Sequence, residues 1–158
     1  MKMTELYNTP FETALRVLLL LETEARTDFT INMIAALDFA ALYGRSFCIS
    51  EMNLHGNNLF KASEFTTRKE LTTECMKLLV RRGFVEVHPA KDGFVYEISP
   101  YGKEFSGQLK TKYASEYREQ IRLALQHFSG ESEQSILKKV YKLSISSLGK
   151  EEAALHEK

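Results

Sequence analysis

At Gly83 the hydrophobic period of the chain changes. Before it, Leu71, Cys75, Leu78 and Leu79 recur at helical spacing; after it, Phe84-Val85-Glu86-Val87-His88 and Phe94-Val95-Tyr96-Glu97-Ile98 alternate apolar with polar. Side chains repeat about every 3.6 residues on a helix and every two on a strand, so one segment cannot serve both. Between the alternating runs lies Pro89-Ala90-Lys91-Asp92-Gly93, whose Asp-Gly is a hairpin signal. Ser99-Pro100 then reads as a helix cap followed by a first helical residue. The passage from Lys77 to Glu104 is therefore expected to run helix, hairpin, helix.

Upstream, Thr9-Pro10-Phe11-Glu12 has the form of a capping box. The helix it opens is expected to end near Arg26, and Leu18 to Leu21 make it apolar nearly all round, as in a core element. A second helix is expected from Thr30 to Tyr43, stopped by Gly44, and a third from Ser63 to Arg82. Residues 44–63 show no period, although Phe47, Ile49, Leu54 and Phe60 should pack back onto the body. A stretch of that length inside a domain is more often functional than idle.

Downstream, Phe105, Leu109, Tyr113, Tyr117, Ile121, Leu125 and Phe128 read as one sustained stripe over residues 101–128, broken at Gly130. Such a helix would project from a domain of this size and could form a homodimer contact as readily as core. A last helix is expected over 133–148, followed by a charged, frayed tail at 149–158. The fold class is thus mainly α with a small β-hairpin. The order helix, helix, helix, hairpin indicates a winged-helix-like domain over residues 1–100 with a C-terminal helical extension over 101–148.

Charge narrows the function. The chain has 21 basic and 21 acidic residues, and the three segments 1–60, 61–100 and 101–158 carry net −3, +1 and +2. Nucleic-acid binders generally carry a basic excess, since phosphate contacts supply much of their affinity. A DNA-binding regulator stays open as the alternative, with Arg68, Lys69 and Lys77 of the third helix as its contacts, but Glu64, Glu70 and Glu74 share that helix. The opening Met1–Glu5 lacks the basic-then-apolar pattern of a secretion signal, and the run Val17–Leu21 is far short of a membrane span. Cys48 and Cys75 form no metal or disulfide motif. A cytoplasmic protein with reduced thiols, off the membrane, is the expectation.

Chemistry is not apparent. There is no nucleophile elbow and no glycine-rich phosphate loop; Glu22 with Glu24, and Glu151 with Glu152, read as solvated charge. His55, His88, His127 and His156 show no metal-ligand spacing, and His55 reads as a loop fastener. No catalytic residue, metal or cofactor is expected.

Three passages have a family likeness: Tyr7-Asn8-Thr9-Pro10-Phe11-Glu12 with Leu18–Leu21, Asn53-Leu54-His55-Gly56-Asn57-Asn58, and Phe60-Lys61-Ala62-Ser63-Glu64-Phe65-Thr66-Thr67-Arg68. Over residues 6–100 the chain resembles the middle-component family of bacterial ABC-three-component systems; beyond about residue 130 it carries no recognisable motif. The resemblance implies a small non-catalytic adaptor linking an ABC-type ATPase to an effector in a defence or conflict system. It also implies that Asn53, His55, Gly56, Phe60, Phe65 and Arg68 form the partner-binding surface or its scaffold.

Overall fold

The computed structural model describes residues 10–24, 26–51, 53–54 and 62–143. In chain order these form α1 (Pro10–Thr23), α2 (Ile31–Leu42), α3 (Ala62–Arg81), β1 (Val85–Ala90), β2 (Gly93–Ile98), α4 (Pro100–Gly107) and α5 (Lys112–His127). A further helical stretch, α6, occupies 133–143. The protein is mainly α-helical with one two-stranded antiparallel sheet.

The centre of the core is α2, buried from Met33 to Leu42. Its sequence Ile-Asn-Met-Ile-Ala-Ala-Leu-Asp-Phe-Ala-Ala-Leu is apolar on every face, so neighbours must cover it on every side. Helices α3 and α5 pack on α2, and α1 packs on α3 and α5. Thr30 caps α2: the hydroxyl accepts from Met33 N at 3.1 Å and donates to Glu133 Oε1 at 2.6 Å, which ties α2 to the start of α6.

Helix α1 stops at Thr23, three residues before the expected end. Fully buried Phe29 has to leave the helix, because its carbonyl accepts Tyr96 N at 2.8 Å and bridges to β2. The residue expected to cap α1, Thr9, lies outside the described residues.

Helix α3 begins at Ala62 and is rotated relative to the expected stripe. Its inner face is Phe65, Arg68, Thr72, Cys75, Met76 and Leu79, whereas Leu78 is 37% exposed. An Arg and a Thr interrupt that face in the sequence and disguise it. The Thr72 hydroxyl is satisfied within the helix by donating to Arg68 O at 2.7 Å.

The hairpin register pairs Val85 with Ile98 and Ala90 with Gly93, which leaves Lys91-Asp92 as a two-residue turn. The turn is thus shorter than the five residues between the alternating runs. Pro89 lies within β1, which bonds to β2 along one edge only. A proline is tolerated on such an edge because its missing donor faces away from the ladder.

The expected helix over 101–128 is two helices. Ser99 caps α4 by accepting from Gly102 N at 3.0 Å, and Thr111 caps α5 by accepting from Ala114 N at 3.1 Å. Between them Arg118 reaches back to Leu109 O and Ser106 O, both at 2.7 Å, and to Glu22 Oε2 at 3.2 Å. Ser106 Oγ also donates to Glu22, so Glu22 is a fastening carboxylate rather than free surface charge. The break folds the stripe inward. Tyr117, Ile121, Ala124 and Phe128 are buried in the monomer, so this face is core rather than a projecting dimer contact.

Candidate functional site

The polar side chains at the centre of the molecule fix the relative placement of its helices. Arg16 is the one cation of α1, and Asp38 is the one charged residue of α2. Arg16 Nε donates to Asp38 Oδ1 at 2.9 Å and Nη2 donates to Thr13 Oγ1 at 3.2 Å. Tyr117 of α5 donates its hydroxyl to the same Asp38 oxygen at 2.6 Å. Burial opposes the charge of Asp38, but the charge and hydrogen bond of Arg16, the charge of Arg68 and the Tyr117 hydroxyl together hold its carboxyl below the usual range. The Tyr117 phenol is driven well above its ordinary value by burial and by Asp38. Burial likewise opposes the Arg16 charge, and Asp38 outweighs it, so the guanidinium stays protonated. One buried carboxylate is thus shared among α1, α2 and α5, with α3 contributing Arg68. The sequence holds a trace of this centre, a single cation within apolar α1 and a single charge within apolar α2.

Of the residues expected at a partner surface or its scaffold, Asn53, Phe65 and Arg68 are described, and each takes a scaffolding place. Asn53 fastens the turn after α2: its Oδ1 accepts from Arg45 N at 2.9 Å and Ser46 N at 3.4 Å. Phe65 is buried, its ring 5.6 Å edge-on from that of Phe39, which also packs on Tyr43 and Phe47. Arg68 is 5% exposed, its guanidinium 5.8 Å over the Tyr43 ring. Phe65 and Arg68 therefore brace α3 against α2 and offer no surface to a partner or to phosphate. His55, Gly56 and Phe60 lie outside the described residues. Phe47, Ile49 and Leu54 pack against the core as expected, and Ser50 Oγ donates to Gln120 Oε1 at 2.7 Å, joining the loop to α5.

Of the other cations considered for DNA, Lys69 and Lys77 are exposed on α3. Lys77 Nζ lies 3.3 Å from Glu74 Oε1. Lys69 and Lys91 line a groove of about 700 Å³, whose wall also carries Asp92 and Glu133. Neither lysine stands in a field of one sign.

A surface that the sequence did not single out lies where α1, α3 and α4 meet the start of the hairpin. A groove of about 200 Å³ is lined by Phe11, Leu15, Leu78, Phe84 and Phe105, with Arg82 at its rim. Phe11 is 69% exposed. Tyr101, 57% exposed, stacks on Phe84 with ring centroids 4.8 Å apart. The groove forms because Leu78 faces outward from α3 and the Ser99-Pro100 cap turns α4 back beside α1. Apolar side chains gathered in this way mark a binding surface more often than isolated ones do.

The chain matches the family described as ABC-three component (ABC-3C) system Middle Component 2 over residues 6–150, beyond the stretch in which its motifs are recognisable by eye. It belongs to that family. No curated protein and no solved structure matches it. No helix among the described residues is long and apolar enough to cross a membrane.

Proposed function

We propose that this Middle Component 2 protein works as a non-catalytic adaptor, docking the ABC-type ATPase of its system through the groove between α1, α3 and α4. The observation that carries this reading is the solvent exposure of Phe11 and Leu78 in one apolar groove, beside exposed Tyr101 stacked on its Phe84 wall. Apolar grooves between helices take the apolar face of a partner helix, and aromatic residues dominate the energetics of such contacts. Arg82 at the rim, with Arg81 before it, suits a partner segment carrying acidic residues beside its apolar ones. Coupling to an effector, a role in bacterial defence and a cytoplasmic setting are further parts of the same proposal, supported by family membership.

The test is retention of the purified ATPase component by the immobilised chain. Phe11→Ser and Leu78→Ser should each weaken binding roughly tenfold or more, as loss of a central apolar anchor does. Tyr141→Ser, at an exposed position on α6, should leave it unchanged. Because Phe11 and Tyr141 are more than half exposed, melting temperature should be preserved in those two variants, with Phe11→Ser as the deciding one. Unchanged retention in both groove variants would overturn the reading. Strong binding of the system's own promoter, lost on Lys69→Glu, would favour a DNA-binding regulator instead.

A further inference from the structure

The outward face of the hairpin carries ligand chemistry that no spacing in the sequence reveals. Glu86 and Glu97 sit directly opposite each other in the register, and His88 lies two residues along β1 on the same face. His88 Nε2 is 2.7 Å from Glu97 Oε1 and 3.9 Å from Glu86 Oε2. One ligand atom from each residue lies within 4.8 Å of the other two. Among the described residues it is the one such group of three metal-ligating side chains.

Two carboxylates directly opposed across strands repel each other. The other side chains sharing their face of the hairpin are those of Val95 and Ala90, so neither strand supplies a Lys or Arg to compensate. A divalent ion would offset the repulsion. We propose that Glu86, His88 and Glu97 form a surface site for zinc or a similar borderline transition ion. One imidazole nitrogen with two carboxylate oxygens suits such an ion better than the all-oxygen sets of calcium or magnesium. Zinc bonds of 2.0–2.2 Å in tetrahedral array place ligand atoms about 3.3 Å apart. The two His88 separations, 2.7 and 3.9 Å, lie either side of that distance, so a small rotamer adjustment on a fixed register completes three sites. All three side chains are partly exposed, which leaves the fourth position to water. Sequence separation hid the site: Glu97 is nine residues from His88, and only the two-residue turn at Lys91-Asp92 brings them together.

The experiment is calorimetric titration of the full chain with zinc chloride, in a Cys48→Ser background that removes the exposed thiol. Cobalt(II) absorption reports coordination geometry in parallel. One ion per chain is expected, with tetrahedral cobalt bands. His88→Ala and Glu97→Gln should each weaken binding roughly tenfold or more, as loss of one of three ligands requires. Both positions are on the solvent face, and circular dichroism should show the fold unchanged. Absence of binding in the Cys48→Ser protein, or full affinity retained in either ligand variant, would overturn the proposal.

Discussion

Arg16 of α1 and Asp38 of α2 meet with Nε 2.9 Å from Oδ1, at side-chain exposures of 1% and 2%. Twenty-two residues separate them in sequence. Removing one partner of such a pair leaves the other charge buried and uncompensated, at a cost of roughly 3–5 kcal/mol. Arg16→Met and Asp38→Leu should each show that loss in urea unfolding, while the double variant should lose less than the two single costs combined. Tyr117→Phe removes one hydrogen bond to a charged group and should lose roughly 1.5–3 kcal/mol.

The same carboxylate makes stability depend on acid. Asp38 is held below its ordinary value, so its contribution is fully present above the unfolded value of about 3.9 and is lost as pH falls through the folded one. Unfolding free energy in the native chain should fall steeply as pH drops below about 4. Asp38→Asn should be weaker at neutral pH but flatter over that window.

Arg68 separates a structural reading from a surface one. Because its side chain is inside and its charge supports Asp38, Arg68→Ala should lower the melting temperature. Arg68→Glu should be worse, placing a second carboxylate near the first. Lys69→Glu, on the exposed face, should leave melting nearly unchanged. Equal melting temperatures for all three would remove Arg68 from the core network.

Gly102 is required where α4 turns against the hairpin. A Cβ there would lie 2.1 Å from Phe84 O, the carbonyl that accepts Ser99 N at 3.0 Å. Gly102→Ala should destabilise by roughly 1–3 kcal/mol through overpacking against backbone. Gly107→Ala, which meets nothing within 4 Å, should not destabilise; chemical denaturation of the pair checks the contrast.

The two thiols should differ in reactivity. Cys75 is 1% exposed, donates to Pro10 O at 3.1 Å and is pushed up to about 11 by burial, so it stays a neutral thiol at neutral pH. Cys48 is exposed in the turn after α2. Iodoacetamide followed by mass spectrometry should show one rapid alkylation, at Cys48, with the second appearing only on unfolding.

Where local rules and packing agree, sequence pattern and fold coincide. Ser99 caps the helix that its spacing implies, and the period change at Gly83 marks the start of the hairpin. Divergence occurs where a residue answers to a distant partner. The inner face of α3 contains Arg68 and Thr72, so Leu78, which the helical spacing places inward, faces solvent. The stripe over 101–128 runs unbroken in sequence, yet Arg118 and Glu22 hold the chain open between α4 and α5. The apolar groove was illegible because its walls come from three helices and the hairpin's first residues.

Element types, the capping of α4, the apolar character of α1 and α2, and the family are legible along the chain, since each follows from spacing within a few residues or from short motifs. Which face of each helix is inside, the sharing of Asp38 by three helices, and the convergence of Glu86, His88 and Glu97 emerge with the three-dimensional packing. Those outcomes depend on charge burial and cross-strand register, whose energies arise between residues that sequence distance keeps apart.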